Sequence, residues 1–254
     1  MKALVTGANG MLGRDLCPIL RERGFEVFAS DIDNMDITCE AAVKKVFMRE
    51  RPDIVFHCAA YTNVDKAETD ITTARLINGT GTENIARSAA EINAAVVYIS
   101  TDYVFNGNGT SPYTPDMPAE PLNNYGITKF EGEEAVRKYC QKYYIARTSW
   151  LYGLHGKNFV ETMLSLAGAP EIKVVDDQVG CPTWTVELCN GILQLIDKQQ
   201  FGTYHICGSG KTSWYGFAAE IFRLKGKNTK VNYVTSEQYA QMNPASAKRP
   251  AFSI

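Results

Sequence analysis

Two residues four positions apart, Tyr125 and Lys129, form the first pattern in this sequence that could do chemistry. On a helix, that spacing puts both side chains on one face, roughly 5–6 Å apart at Cβ. A tyrosine hydroxyl has a pKa near ~10, and a neighbouring ammonium group stabilises the phenolate and lowers that pKa toward neutrality. The pair therefore predicts an acid–base catalyst. The hydroxyl of Thr101, in the run 100–105, is expected to hold a carbonyl oxygen beside it.

The first thirteen residues predict a dinucleotide site. Residues 2–6 are an aliphatic and β-branched run typical of a buried strand, and they lead directly into a G-x-x-G-x-x-G loop. An amphipathic segment follows, so the order is strand, glycine turn and helix, which brings the backbone close to a pyrophosphate at the helix N-terminus. The loop residues expected to contact the cofactor are Gly7, Gly10, Met11, Leu12 and Gly13.

Asp31 ends a second predicted strand and lies where a ribose-binding carboxylate is expected in such a unit. Its negative charge favours a free ribose 2′-hydroxyl and repels a 2′-phosphate. No arginine or lysine occurs in residues 30–36 to neutralise that phosphate. The sequence therefore predicts that NADH is used at least as well as NADPH.

Predicted strands and helices alternate through the first two-thirds of the chain. The strands are expected at 2–6, 26–30, 53–58, 95–100 and 143–148, and the helices at 11–23, 40–50, 72–92 and 125–140. Such alternation predicts an α/β fold, a Rossmann-type doubly wound parallel sheet, with ligands bound at the carboxyl ends of the strands. We expect a dinucleotide-binding domain over 1–150 and a smaller, interleaved substrate-binding lobe over 151–254.

Composition excludes several other classes of function. A formal net charge of −2 argues against a nucleic-acid surface, and no apolar run approaches the ~18–20 residues of a membrane span. The seven cysteines are scattered with no C-x-x-C pair, and the three histidines are dispersed. This pattern favours reduced thiols in the cytoplasm and predicts no metal site.

At this point the chain resembles the extended short-chain dehydrogenase/reductase superfamily and, within it, the dTDP-4-dehydrorhamnose reductase family. The strings that separate it from sugar epimerases are Thr-Asp-Tyr-Val-Phe at 101–105 and Asp-Gln-x-Gly-x-Pro-Thr at 177–183. The remaining matching motifs lie at 6–13, 51–53, 58–62, 64–68, 121–129 and 147–150.

The resemblance implies reduction of the C4 keto group of dTDP-4-dehydro-L-rhamnose with NADH or NADPH, in a cytoplasmic homodimer. It assigns proton donation to Tyr125, binding of the nicotinamide ribose to Lys129 and positioning of the keto oxygen to Thr101. Further cofactor contacts are expected from Asp36, Ile37, Ala59, Ala60, Tyr61, Asn78 and Ser100. Substrate contacts are expected from Thr101, Asp102, Trp150, Gln178 and Arg249.

Other functions share these residues and stay open at this stage. A sugar-nucleotide epimerase or dehydratase would use the same tyrosine and lysine but retain NAD, and another nucleotide-sugar 4-ketoreductase would differ only in its substrate. A non-catalytic NADP-binding regulatory subunit, resembling the β subunit of methionine adenosyltransferase, has the same fold.

Family members also continue into a further helix after residue 250, so a truncated C-terminus is expected.

Overall fold

A computed structural model describes residues 1–109 and 111–254 of the chain. Its centre is a six-stranded sheet, and three further pairs of short strands lie outside it. The strands in chain order are β1 (Lys2–Thr6), β2 (Glu26–Ser30), β3 (Ile54–His57), β4 (Ala95–Thr101), β5 (Tyr143–Thr148), β6 (Leu151–Tyr152), β7 (Glu171–Val175), β8 (Val179–Gly180), β9 (Thr183–Trp184), β10 (Gly202–His205), β11 (Thr212–Ser213) and β12 (Lys230–Val234).

Helices connect these strands and cover both faces of the central sheet. They are α1 (Met11–Glu22), α2 (Glu40–Glu50), α3 (Val64–Ala67), α4 (Ile71–Arg75), α5 (Thr82–Glu91), α6 (Asn124–Tyr139), α7 (Phe159–Ser165), α8 (Thr185–Asp197), α9 (Trp214–Leu224) and α10 (Ser236–Met242). None of these helices, in the ranges 1–109 and 111–254, has the length and apolar character that crossing a bilayer requires.

The six strands of the central sheet are all parallel and run in the order β10-β5-β4-β3-β1-β2. The chain moves outward from β1 to β2, then crosses back to place β3 on the other side of β1. In a doubly wound sheet, ligands bind in the crevice at such a reversal of strand order. The predicted α/β fold with a parallel sheet is therefore confirmed, and the crevice lies between the ends of β1 and β3.

Two apolar layers enclose the sheet because its strands are buried on both faces. On one face, α1 and α8 contribute Leu16 and Leu188 to the packed layer. On the other face, α2, α5 and α6 contribute Val43, Ile85 and Val136. Each of these five side chains is fully buried, so the helices hold the strand ends in fixed positions.

The second half of the chain builds a smaller core and also adds to the main sheet. Helices α7 and α9 and the parallel pair β7–β12 share a cluster that includes Met163, Val174 and Phe222. Strand β10 joins the central sheet beside β5. The division of the chain at residue 150 stays a prediction.

The helix predicted over 72–92 is interrupted in the structure. Helices α4 and α5 are joined by a π-helical segment, Leu76–Gly81. A side chain at Gly81 would lie 2.8 Å from Ile37 Cδ1, so glycine allows the close approach of these two segments. The π-helical turn displaces the backbone at Asn78, and such bulges occur frequently at functional sites.

Candidate active site

The glycine loop after β1 packs against neighbouring backbone so closely that side chains are excluded. Gly7 has φ +62°, and a Cβ there would lie 2.7 Å from the amide nitrogen of Ala59. A Cβ on Gly13 would lie 2.6 Å from Cα of Ala8. These two positions explain why the motif requires glycine, since any side chain would push the loop away from β3 and α1.

The N-terminus of α1 is suited to bind an anion. The helix follows Gly10, and no side chain caps it, so its first amide groups are available to a ligand. A loop lies over this helix end: Asn158 Nδ2 donates to the carbonyl of Gly153 at 2.9 Å and lies 3.7 Å from Met11 Sδ. Leu12 is buried in the core, which leaves its backbone as the part that can contact a cofactor. The loop therefore fits a dinucleotide pyrophosphate.

Asp31 follows β2 directly and is fixed by backbone amides. Its Oδ2 accepts a hydrogen bond from Asn9 N at 2.9 Å, and its Oδ1 accepts one from Ile32 N at 2.9 Å. The carboxylate is thereby tied to the glycine loop. The contact of this carboxylate with the adenosine ribose stays a prediction.

Asp36 and Ile37 lie on the segment between β2 and α2. Asp36 accepts hydrogen bonds from the amide and hydroxyl of Thr38, at 2.9 and 2.7 Å. Ile37 is buried, and its carbonyl accepts a hydrogen bond from Asn84 at 2.9 Å. The cofactor contacts of these two residues stay predictions.

Ala59, Ala60 and Tyr61 follow β3 and form the other side of the crevice. The amide of Ala59 donates to Thr6 Oγ1 at 3.2 Å. The buried Asn78 side chain accepts from Tyr61 N at 2.8 Å and donates to Tyr61 O at 3.1 Å. Asn78 therefore holds the backbone of this wall, and its direct contact with a cofactor stays a prediction.

The Thr101 and Tyr125 side chains come together where β4 ends and α6 begins, and Lys129 follows Tyr125 by one turn along α6. Asn123 caps α6 by accepting a hydrogen bond from Gly126 N at 2.8 Å, which sets the position of Tyr125 in the first turn. The Tyr125 ring packs edge-on against another aromatic ring 5.5 Å away, that of Tyr103. Lys129 is buried, and its Nζ lies 4.0 Å from the centre of the Tyr98 ring.

Burial controls the protonation of this pair. It lowers the pKa of Lys129 to about 7, although the nearby Glu133 carboxylate acts in the opposite direction. Burial also raises the pKa of Tyr125, with a hydrogen bond to Thr101 partly offsetting the rise. The expected lowering of the tyrosine pKa by Lys129 is therefore not found, because burial disfavours the phenolate and Lys129 is not among the groups that shift the pKa of Tyr125.

Glu133 ties helix α6 to the sheet through a buried ionic network. Both of its oxygens accept hydrogen bonds from Arg147, at 2.8 and 2.7 Å, and Arg137 donates to Oε2 at 2.7 Å. Ser100 Oγ donates to Oε1 at 2.5 Å. Ser100, predicted to contact the cofactor, is thus engaged with Glu133, and its role at the cofactor stays a prediction.

Asp102 is buried directly after Thr101. Thr101 Oγ1 donates to Asp102 Oδ1 at 3.0 Å, and Ser253 Oγ donates to Oδ2 at 2.5 Å. Burial raises the pKa of Asp102 to about 6, while the two hydroxyls act against that rise. The Asp102 carboxyl group therefore already has two hydroxyl partners within the protein, and its contact with the substrate stays a prediction.

Trp150 and Gln178 lie in the second half of the structure. Trp150 has φ +47° and stacks on Trp214, with ring centres 3.6 Å apart and an interplanar angle of 11°. Gln178 is buried and donates to Ser236 Oγ at 2.9 Å. A side chain on Gly180 would meet the Trp150 indole at 2.6 Å, so the indole is held between Gly180 and Trp214.

Arg249 lies on the C-terminal segment, close to Tyr103. Its Nη2 forms an ion pair with Asp65 Oδ1 at 2.8 Å, and its Nη1 donates to Ala247 O at 3.1 Å. Burial would lower the pKa of Arg249, but its interactions with the Tyr103 hydroxyl and the Asp65 carboxylate raise that pKa. Its expected contact with the pyrophosphate of the substrate stays a prediction.

Three residues of this region were not singled out as functional from the sequence. Glu133 is detectable, because it follows Lys129 at the same four-residue spacing that links Lys129 to Tyr125. Arg147 is also detectable, since a charged residue within the apolar strand β5 requires a buried partner. Nothing in the local sequence indicates that Ser253 contacts Asp102, 151 positions away.

In the described ranges of the chain, His, Cys, Asp and Glu side chains form no group of three or more that could hold a metal ion.

A family model described as "RmlD substrate binding domain" matches residues 1–254. A dTDP-4-dehydrorhamnose reductase from Streptomyces griseus is 42% identical over 99% of this chain and 84% of its own length. A dTDP-4-keto-6-deoxy-D-glucose reductase from Streptomyces niveus is 41% identical over 99% of this chain and 87% of its own.

A solved structure of dTDP-4-dehydrorhamnose reductase from Bacillus anthracis, in complex with NADP, superposes with a TM-score of 0.95. It is 41% identical and matches 100% of this chain and 89% of its own. These similarities confirm the resemblance identified from the sequence motifs. The chain belongs to the RmlD substrate binding domain family.

Proposed function

We propose that this chain is an NAD(P)H-dependent reductase that converts the C4 keto group of dTDP-4-dehydro-L-rhamnose to the hydroxyl of dTDP-L-rhamnose. The observation that carries the proposal is the meeting of the Thr101 and Tyr125 hydroxyls at the carboxyl end of β4, with Lys129 one helical turn along α6. Full-length similarity to a dTDP-4-dehydrorhamnose reductase supports the choice of substrate.

The cofactor fits the crevice between β1 and β3. Gly7, Gly10 and Gly13 hold the pyrophosphate at the N-terminus of α1, and Asp31 binds the adenosine ribose. Lys129 binds the ribose on the nicotinamide side. When bound, the dihydronicotinamide supplies the hydride that reduces the keto carbon.

Tyr125 supplies the proton that the keto oxygen takes up. Its raised pKa keeps the hydroxyl protonated at neutral pH, which is the state that a proton donor requires in the direction of reduction. Donation leaves a phenolate, and the Lys129 ammonium on the same helix face stabilises it. Thr101 keeps the Tyr125 hydroxyl and the keto oxygen in line, while Trp150 and Arg249 contact the sugar nucleotide.

The proposed function is tested by mixing the purified chain with dTDP-4-dehydro-L-rhamnose and NADH or NADPH, and following both cofactor absorbance and sugar product. We expect one cofactor to be oxidised for each dTDP-L-rhamnose formed. An epimerase or dehydratase would convert the sugar without net oxidation of added cofactor. A regulatory subunit would bind the cofactor and leave the sugar unchanged, and either of these results would refute the proposal.

A second candidate is reduction of a different 4-keto sugar nucleotide. It is favoured by the 41% identity to the Streptomyces niveus protein, which is named as a dTDP-4-keto-6-deoxy-D-glucose reductase. Comparing kcat/KM for dTDP-4-dehydro-L-rhamnose and dTDP-4-keto-6-deoxy-D-glucose separates the two. We expect the rhamnose precursor to be preferred.

We further propose that the enzyme acts in the cytoplasm as a homodimer. All seven cysteines are free thiols, which supports a reducing compartment. The homodimer rests on the family resemblance. Sedimentation equilibrium of the full chain tests it, and a mass equal to that of one chain across the concentration range would contradict it.

A further inference from the structure

A tight turn follows β2 and has Asp31 as its first residue. Asn34 N and Met35 N both donate to the Asp31 carbonyl, at 3.1 and 2.9 Å, and these two hydrogen bonds close the turn. The Met35 side chain is 2% exposed and lies in the apolar layer that includes Leu4 of β1 and Val43 of α2. The turn is therefore anchored to the sheet and to the helix that follows it.

The Asn34 side chain reaches back from the end of this turn to the end of the strand. Its Oδ1 accepts hydrogen bonds from Asp31 N at 2.9 Å and from Ser30 Oγ at 2.8 Å. Its Nδ2 donates to Ala29 O at 3.3 Å. One amide oxygen thus serves two donors, and both of its lone pairs are used. Because Ser30 is 1% exposed, its hydroxyl has little access to water that could replace Asn34.

These contacts hold the peptide group between Ser30 and Asp31 from both sides. The Ser30 carbonyl accepts a hydrogen bond from Ala8 N, in the glycine loop, at 3.0 Å, while the Asp31 amide donates to Asn34. The peptide group therefore has one orientation, which fixes the direction in which the Asp31 side chain leaves the backbone. That direction takes the carboxylate to Asn9 N in the same loop, at 2.9 Å.

The Asp31 carboxylate keeps acceptor capacity for a ribose. A carboxylate has about four lone-pair sites, and the amides of Asn9 and Ile32 each use one. The remaining sites can accept hydrogen bonds from ribose hydroxyls, whereas a 2′-phosphate presents negative charge to the same oxygens and is repelled. This repulsion requires a carboxylate that cannot turn away, because water and salt screen exposed charges that move apart.

We propose that Asn34 is a positioning residue for cofactor selection, holding Asp31 so that its carboxylate accepts the adenosine ribose and excludes a 2′-phosphate. This inference rests on the cofactor site of the proposed function. In this role Asn34 acts through Asp31 and does not contact the cofactor. Its loss therefore has to change the choice between NADH and NADPH, whereas the loss of a merely structural residue would weaken the binding of both cofactors alike.

The test measures the Kd values of NADH and NADPH by fluorescence titration of the full chain at low ionic strength, where the repulsion is least screened. The readout is the ratio of the Kd for NADPH to the Kd for NADH. Asp31→Ser removes the charge and should lower this ratio at least about tenfold. Asn34→Ala leaves the charge but frees the carboxylate to move, and should lower the ratio by about three- to tenfold.

Three further measurements show whether Asn34 acts through Asp31. In an Asp31→Ser background, Asn34→Ala should have little added effect on the ratio, because the carboxylate it holds is absent. Asn34→Asp keeps an acceptor oxygen for both donors and should not lower the ratio. Asp33→Asn removes another charge from the same turn and leaves the hydrogen bonds of Asn34 in place, so it should lower the ratio less than Asn34→Ala does. If thermal melting shows that Asn34→Ala does not fold, Asn34→Ser replaces it, because the shorter side chain cannot bridge the same donors.

The inference is overturned if folded Asn34→Ala keeps the ratio within about twofold of the wild-type ratio. It is also overturned if Asn34→Ala changes the ratio equally with and without the Asp31 carboxylate, or if Asn34→Asp or Asp33→Asn lowers the ratio as much as Asn34→Ala does. A wild type that binds both cofactors and leaves the keto-sugar unreduced would refute the proposed reductase function, while the ratio still decides the role of Asn34. The two failures are therefore distinguishable.

Discussion

Replacing Glu133 by glutamine should destabilise the protein strongly, although the side chain keeps its shape. Glu133 is fully buried and Arg147 is 2% exposed, and the two are joined by a pair of hydrogen bonds at 2.8 and 2.7 Å. Glutamine leaves the Arg147 guanidinium charged and buried without a counter-charge. The hydrogen bond from Arg147 to the Pro115 carbonyl, at 3.1 Å, does not involve Glu133 and stays unaffected.

Breaking a buried ion pair by removing one partner costs about 3–5 kcal/mol. Glutamine retains one acceptor oxygen, so we expect a loss near the lower end, about 3 kcal/mol in the free energy of unfolding. For a chain of this size, that loss corresponds to a fall in Tm of roughly 6–12 °C. Because Glu133 ties α6 to Ser100 at the end of β4, the kcat of the folded variant should fall as well.

The effect should depend on pH in a defined direction. Burial alone would raise the pKa of Glu133, but Arg147 and the other donors hold that pKa below its usual value. A carboxyl group with a lowered folded pKa stabilises the protein above its unfolded pKa, near ~4.3, and loses that contribution as pH falls through the folded pKa. The difference between wild type and Glu133→Gln should therefore be largest at neutral pH and shrink in acid.

Urea denaturation at neutral and acidic pH measures these differences. Glu134→Gln is the matched control on the same helix, because the Glu134 side chain is exposed and forms an ion pair with Arg137 at 2.6 Å. The control should lose less than about 1 kcal/mol. If Glu133→Gln and Glu134→Gln unfold with the same free energy, the buried network does not stabilise the fold.

Three other substitutions test the catalytic and cofactor sites. Tyr125→Phe should lower kcat by roughly 10²–10⁴ with little change in the Kd for NADH. Tyr139→Phe, on the same helix, should leave kcat unchanged. If Tyr125→Phe keeps half of the wild-type turnover, Tyr125 is not the proton donor. The fixed charge of Asp31 should keep kcat/KM for NADPH no higher than kcat/KM for NADH. Asp31→Ser should raise the ratio of kcat/KM for NADPH to that for NADH by at least about tenfold. A hundredfold preference of the wild type for NADPH would contradict this prediction. Gly13→Ala should raise the Kd for NADH at least about tenfold, because the added Cβ would lie 2.6 Å from backbone. Gly10→Ala should have a smaller effect, because its Cβ would lie 3.1 Å from Gly7 O. Fluorescence titration measures both Kd values, and equal values would contradict the explanation by close packing.

The parts of the fold that sequence patterns predict are those with strong local signals. Strands β1, β2 and β5 and helix α2 have the predicted bounds, because each is an apolar or amphipathic run ended by glycine, proline or polar residues. The π-helical segment Leu76–Gly81 was not predicted, since it depends on tertiary contacts around Asn78 and not on local propensity. Strand β12 was not predicted, although residues 230–233 alternate between polar and apolar types.

Sequence patterns likewise predict only those parts of the candidate site that have strong local signals. The position of Thr101 at the carboxyl edge of the sheet follows from its place at the end of a parallel strand, which the topology already implies. Its proximity to Tyr125, in the first turn of α6, depends on how that helix packs against the sheet. The stacking of Trp150 on Trp214 joins residues 64 positions apart through packing, and no local pattern reports it. The protonation of Tyr125 and Lys129 also depends on burial, which spacing along a helix does not reveal.

The most direct test of the central claim follows the hydride itself. The enzyme is incubated with dTDP-4-dehydro-L-rhamnose and NADH that has deuterium at the transferred position of the nicotinamide, and the sugar product is examined by NMR. If the chain is the proposed reductase, each oxidised cofactor leaves one deuterium at C4 of dTDP-L-rhamnose. A product without deuterium at C4, or cofactor recovered unoxidised beside a converted sugar, would contradict the proposed reaction.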